Sequence, residues 1–326
     1  MGASAAAPAS EAEILRLLDK YFPNRRHGLL VGRGDDCAIL AWNGNLCVST
    51  DLFLEDVHFR RSYFTAVEAG HKCLAVNLSD LAACGASPAA FTLSLALPVP
   101  LDAIWLEGFF KGMAALASRH GAILCGGDLS KSGKLAASVT VFGHAAVPLK
   151  RKNTRTGDIL FATGDIGLAR IGLEELEKNG RKAATQWKGP CAAHLMPEPH
   201  VKAGLALTRF AEKGARIALM DVSDGLCSDL PRLLAAGHGA EITLNEQNLS
   251  PAVLAHAAAS GKDAALEAFK GGEDYVLLGA CQPDLLPDLA KEIPGLRQLG
   301  QVDGSGQIRC NGFPMDAAAG FDHFGG

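Results

Sequence analysis

Acidic residues recur in this chain where apolar segments run into glycine, serine or threonine. Asp35 and Asp36 stand side by side in "GRGDDCAIL", Asp51 and Asp56 in "STDLFLED", Asp80 in "NLSDL" and Asp128 in "CGGDLS". Asp221 and Asp224 follow in "DVSDGL", and Glu273 and Asp274 in "GGEDYVLL". One such aspartate is an ordinary turn former or helix cap, because its side chain satisfies nearby backbone N–H groups. Six stations raise another question, since carboxylates gathered from strand ends and loops need a compensating charge if they converge. Magnesium takes oxygen ligands, keeps several waters and joins one or two carboxylates to a substrate phosphate, which suits scattered Asp with neighbouring Ser and Thr hydroxyls.

Other chemistries fit less well. Neither "DVSDGLCSDL" nor "DGSGQI" has the ligand spacing of an EF-hand, and no HExxH or Cys/His cluster suggests zinc. The glycine-rich segments "GRGDD", "CGGD" and "KGGED" read as turns, either ordinary ones or turns whose backbone N–H groups approach phosphate oxygens. There is no GxxxxGK[ST], and "GRGDDC" lacks the third glycine of a dinucleotide fingerprint, so a nucleotide site must be of another design. A GxSxG nucleophile elbow is also absent.

The elements that must position these residues are those of a mixed α/β chain. With 326 residues, 48% hydrophobic and 20% charged, the sequence is globular and long enough for two halves. Residues 1–10, "MGASAAAPAS", read as a flexible start; an N-terminal domain spans 11–148 and a C-terminal α/β domain 149–326. Ser10 with Glu13 and Thr65 with Glu68 read as capping boxes, the second opening a helix that carries Asn77 and Asp80 on one face. "CAIL", "LCVST", "FTLSLAL", "DILFAT", "RIALMDV" and "DYVLLGA" read as strands, and a helix is expected from Ile166. Nine cysteines without a CxxC pair fit neither a disulfide framework nor a zinc ribbon and point to a reducing cytoplasm. A formal charge of −4 argues against nucleic acid or anionic membrane as partner, although "LKRKNTR" is locally basic, and no apolar run is long enough to span a bilayer.

Taken in order, "GRGDDCAIL", "STDLFLEDVHF", "HKCLAVNLSDLAACGASP", "CGGDLS", "DVSDGL", "GGEDYVLL" and the terminal "GFDHF" resemble thiamine-monophosphate kinase. The likeness runs from about residue 28 to residue 324, and "VHF", "GGEDY" and "DHF" separate this family from its relatives, the aminoimidazole ribonucleotide and selenophosphate synthetases. The resemblance implies transfer of the γ-phosphoryl group of ATP to thiamine monophosphate with magnesium. It implies an N-terminal sheet that pairs with its twin into a barrel across a homodimer, with ATP and substrate between the two halves. By the same likeness the metal ligands are Asp36, Ser49, Thr50, Asp51, Asp80, Asp128, Asp221 and Asp224. Asp35 stands behind them. Gly127, Asp128, Arg151 and Ser223 match ATP contacts, and His58 and Glu273 match substrate contacts. Where some relatives have a tryptophan near the C-terminus this chain has Ala318, leaving Phe321 to supply the stacking surface.

No dedicated general base stands out, and the reaction needs little of one. A phosphate monoester has a second pKa of about 6, so the acceptor oxygen is already anionic at neutral pH. The difficulty is bringing two polyanions into line, which calls for positioning and positive charge. The alternatives are a magnesium-dependent phosphohydrolase and another ATP-using synthetase of the same superfamily. Residue by residue, His58 also reads as a loop histidine, Arg151 as a solvated charge, and Asn77 with Asp80 as a surface polar pair.

Overall fold

The computed structural model describes residues 10–25, 27–100 and 102–315. The chain is a mixed α/β protein that divides into two compact units, one formed by residues 1–81 and 87–144, the other by 82–86 and 145–326.

In the first unit the order is α1 (Glu11–Tyr21), β1 (Leu29–Val31), β2 (Ile39–Leu40), β3 (Asn45–Leu54), α2 (Ala66–Ala83), β4 (Ser87–Pro98), α3 (Ala103–His120), β5 (Ile123–Ser132) and β6 (Ala136–Ala145). β1 and β2 form a two-stranded antiparallel ribbon, and the larger sheet runs β3-β6-β4-β5. β4 pairs in parallel with β5 and antiparallel with β6. The Thr65–Glu68 capping box forms as the spacing predicts: the Glu68 carboxylate accepts the Thr65 N–H at 2.8 Å, and the Thr65 hydroxyl accepts the Glu68 N–H at 3.3 Å. Ser10 does occupy the N-cap of α1, but its side chain makes no capping bond. α2 and α3 approach until backbone meets backbone, since a Cβ on Gly70 would lie 1.9 Å from the Phe109 carbonyl and one on Gly112 1.9 Å from that of Val67. Leu74, Leu78 and Leu81 of α2 are fully buried, as are Phe109 and Phe110 of α3.

Two sequence readings change here. The pattern of "LCVST" ends a strand before Asp51, but β3 continues to Leu54, so Asp51 lies inside a strand. The composition of "CGGD" is that of a turn, yet β5 runs straight through it, with Gly127 opposite Leu93 of β4. Gly127 has φ +153°, and a Cβ there would sit 1.9 Å from the Leu93 carbonyl. Its glycine serves a close approach of strands, not a reversal of the chain.

The second unit holds β7 (Ile159–Ala162), α4 (Leu168–Asn179), α5 (Ala183–Gln186), α6 (Lys188–Leu195), α7 (Val201–Glu212), β8 (Ile217–Asp221), α8 (Leu226–Leu233) and β9 (Gly239–Ile242). α9 (Pro251–Ser260), α10 (Ala264–Lys270), β10 (Leu277–Cys281), α11 (Leu286–Glu292), β11 (Arg297–Asp303), β12 (Ile308–Cys310) and β13 (Phe313–Pro314) complete it. Its sheet runs β13-β12-β9-β11-β7-β10-β8, antiparallel except for β9 with β12. The helix expected from Ile166 begins two residues later, at Leu168. The uniformly buried strands β8 and β10 lie at one end of this sheet; "DVSDGL" begins on the last residue of β8 and "GGEDYV" leads into β10. All nine cysteines are free. Among the described residues no helix is long and apolar enough to cross a membrane.

Candidate active site

Strand alternation arranges the first cluster. Side chains one residue apart on β3 point to opposite faces, so Ser49 and Asp51 share a face and Thr50 takes the other. The Ser49 hydroxyl donates to the Asp80 carboxylate of α2, and the Asp51 N–H donates to Asn77 Oδ1 at 3.1 Å. Asn77 is buried and its amide also donates to the Cys73 carbonyl, so it ties helix to strand and is not a surface polar residue. Burial pushes the Asp51 carboxyl up to about 6, and the nearby Asp80 adds to the rise. Thr50 is spent elsewhere: its hydroxyl donates to the Val139 carbonyl of β6 and accepts from Thr140. Only its main chain can belong to a site on the Ser49 face.

After β3 the chain folds back on itself, and the Nδ1 atom of His58 accepts the Leu54 N–H at 3.0 Å. In the neutral ring that bond leaves the proton on Nε2, so the other edge of the imidazole is a donor. Phe53 stacks near it at 6.2 Å between ring centres. Asp35 and Asp36 are exposed, and the Asp35 carboxylate accepts the Asp36 N–H at 2.8 Å after Gly34 at φ +108°. Asp35 therefore serves the turn, leaving Asp36 as the outward carboxylate. Asp128 is exposed on β5. β3 and β5 are the two edges of their sheet, so two strands separate the one that carries Asp51 from the one that carries Asp128.

In the second unit, two loops are stapled together. The Glu273 N–H donates to the Ser223 carbonyl at 2.7 Å, the Tyr275 N–H to Val222 at 2.9 Å, and the Val222 N–H to Val276 at 2.9 Å. Glycines make the approach possible: a Cβ on Gly225 would lie 2.9 Å from the carbonyls of Lys270 and Gly271, and one on Gly272 2.8 Å from that of Ser223. Asp221 closes β8, is buried, and pairs in register with Leu277. Arg151 is exposed on a turn fastened to the same elements, with Lys150 accepting the Leu219 N–H at 3.1 Å and Lys152 donating to Leu233 at 2.8 Å.

Three participants escape the sequence reading. Asp229, fully buried in the first turn of α8, accepts the N–H groups of Ser223 and Asp224 on one oxygen, at 3.0 and 2.9 Å. Arg232 bridges the Asp224 and Asp229 carboxylates. His194 of α6 places Nδ1 3.0 Å from Glu273 Oε2. An acid in the first turn of a helix behind a glycine loop is a signal that could have found Asp229; nothing local marks His194. Asp274 departs from its reading as part of an open carboxylate station: it is buried, and its two oxygens accept the Gly167 and Ala169 N–H groups at 2.6 and 3.0 Å, capping α4 from outside. Phe321 lies outside the described residues. Among the described residues no three His, Cys, Asp or Glu side chains form a metal-holding group.

Residues 34–145 match the family of AIR synthase related proteins, N-terminal domain. The chain is 33% identical over 318 residues to the thiamine-monophosphate kinase of Mycobacterium tuberculosis, covering 95% of this chain and 91% of that one. The chain belongs to the thiamine-monophosphate kinase family. The crystal structure of the Stenotrophomonas maltophilia family member superposes with a TM-score of 0.81 at 33% identity, covering 95% of this chain and 98% of that one. AaThiL complexed with AMPPCP and TMP superposes at 0.75 with 27% identity, covering 96% and 97%.

Proposed function

We propose that this kinase transfers the γ-phosphoryl group of ATP directly to the phosphate of thiamine monophosphate, yielding ADP and thiamine diphosphate. The observation that carries the reading is the staple between Ser223 and Glu273, which puts a residue matched to ATP and one matched to the thiamine substrate on two loops joined by a 2.7 Å bond. The family relation and the ATP-analogue and TMP complex of AaThiL support it.

The donor set also fits magnesium. Ser49, Asp51 and Asp80 offer oxygen only, and Asp51 is held above the usual carboxylate range by burial and then by Asp80, a like charge that a hard cation would relieve. Asp36, Asp128, Asp221 and Asp224, with the main chain at Thr50, are the other candidate ligands. When bound, magnesium supplies positive charge that offsets the repulsion between the two phosphates. The chain's own part is positioning. Arg151 offers a fork for triphosphate oxygens, Gly127 and Ser223 are the other ATP-matched positions, and His58 Nε2–H and the Glu273 carboxylate orient the thiamine portion. The acceptor oxygen is already anionic, so no side chain must remove a proton.

A homodimer through the N-terminal sheet completes the proposal. Leu46, Val48 and Leu52 share one face of the edge strand β3 with Thr50 and are more than half exposed, as a face awaiting a second copy would be. Nine free cysteines suit a reducing cytoplasm. Incubation with ATP, Mg²⁺ and thiamine monophosphate, followed by chromatography, should give ADP and thiamine diphosphate in equal amounts. Release of inorganic phosphate without thiamine diphosphate would instead identify a phosphohydrolase.

A further inference from the structure

Glu273 occupies a backbone conformation that side-chain-bearing residues avoid, with φ at +66°, and Tyr275 follows at +52°. Such residues are strained and persist where the surroundings hold them. The surroundings here are explicit. The N–H groups of Glu273 and Tyr275 are tied to Ser223 and Val222, and Asp274 between them is anchored on the first turn of α4. These bonds fix the main chain and leave the Glu273 side chain to be aimed by something else.

His194 does the aiming. Its ring is 2% exposed, and Nδ1 lies 3.0 Å from Oε2 of Glu273, whose side chain is 27% exposed. A buried donor thus meets a carboxylate that still reaches solvent. We propose that His194 is a positioning residue for Glu273: its Nδ1–H holds Oε2, so that Oε1 is presented in one direction to the N–H groups or cationic ring of the thiamine substrate. The inference rests on the assignment of Glu273 as a substrate contact. A carboxylate oxygen with fixed direction loses less entropy on binding than one on a free side chain, and the gain falls on one substrate only.

The test compares His194→Leu with His194→Asn, which are similar in size but differ in the ability to donate; the asparagine amide nitrogen replaces Nδ1. Leucine should raise KM for thiamine monophosphate about tenfold while leaving KM for ATP and the unfolding midpoint near wild type, and asparagine should restore most of the loss. An unchanged KM for thiamine monophosphate, or equal increases for both substrates, would overturn the proposal. Should the leucine variant fail to fold, ¹⁵N-edited NMR of the histidine rings decides. The His194 Nδ1–H resonance must move in Glu273→Gln, and an unmoved resonance refutes the pairing. Because the NMR measurement needs no turnover, a wild type that fails to make thiamine diphosphate would sink the kinase reading separately.

Discussion

The Glu273 N–H donates to the Ser223 carbonyl at 2.7 Å, and this bond joins the loop after β8 to the loop before β10. The two strands pair antiparallel from Leu277 opposite Asp221, so the staple continues the ladder past the end of the sheet. A continuous ladder transmits position: neither loop can shift without disturbing the other. Ser223, matched to ATP, and Glu273, matched to the thiamine substrate, are therefore set by one piece of backbone geometry.

Gly272→Ala tests that geometry. The added methyl group would stand 2.8 Å from the Ser223 carbonyl and 3.2 Å from the Asp224 carbonyl carbon, both backbone atoms with little room to yield. Overpacking of this kind costs about 1–3 kcal/mol. Steady-state kinetics should show KM rising for both ATP and thiamine monophosphate, in contrast to the selective effect expected at His194. A change confined to one substrate would mean that the loops move independently.

Asp229→Ala should be among the more damaging changes to this unit although Asp229 is not a proposed ligand. It deprives the Ser223 and Asp224 N–H groups of their common acceptor and leaves Arg232 with Asp224 alone. An unsatisfied donor costs about 1–3 kcal/mol when fully buried, and these two, in half-buried residues, cost less than that. Urea unfolding should register the loss, and Asp229→Asn, which retains one acceptor oxygen, should recover part of it. Equal stability of wild type and the alanine variant would show that the loop stands without its cap.

Asp274 makes stability depend on pH. Burial pushes its carboxyl up to about 7, against the lowering effect of the Ala169 and Gly167 N–H bonds. The native state thus binds this proton more tightly than the unfolded chain, where the carboxyl has its ordinary value of 3.8. Its contribution is greatest below the unfolded value and declines as pH rises through the folded one. Between pH 5 and 7, wild type should lose stability relative to Asp274→Asn at about 1 kcal/mol per pH unit. Denaturant titrations of both proteins across that range would expose a flat difference, if Asp274 stays ionised throughout.

The carboxylate stations are legible in the sequence because Asp beside Gly, Ser or Thr is conspicuous after an apolar run, and the Thr65–Glu68 box and the strand ending at Asp221 follow from local pattern alone; the strand read from Asp274 begins only at Leu277, because Glu273 and Tyr275 take positive φ angles that a strand does not allow. Local pattern fails where glycine has two meanings. "CGGD" has the composition of a turn, but Gly127 is there because β4 leaves no space for a Cβ, which is a fact about a strand distant in sequence. The fate of Asp274 is hidden for a related reason, since its partners Gly167 and Ala169 are brought to it only by the folded sheet. His194 reaches Glu273 from α6 with no motif on either side. Strand alternation separates Thr50 from Ser49 and Asp51, but only once β3 is read to its full length.

Asp80→Asn should separate stability from activity. The amide oxygen of the introduced asparagine can still accept the Ser49 hydroxyl proton, so the link from strand to helix survives, but the charge that helps hold Asp51 above the usual carboxylate range is gone. Without metal, two neighbouring carboxylates strain the native state, and relief of like-charge repulsion is worth on the order of 1 kcal/mol. In EDTA the variant should therefore unfold at a higher temperature than wild type. With Mg²⁺ the order should reverse, because wild type alone keeps both carboxylates for the cation, and turnover in the variant should fall by about a hundredfold or more. Calorimetry in EDTA and in Mg²⁺, together with the chromatographic assay, measures all three. Loss of stability in both conditions would mean that Asp80 is a structural partner of Ser49 and not a ligand.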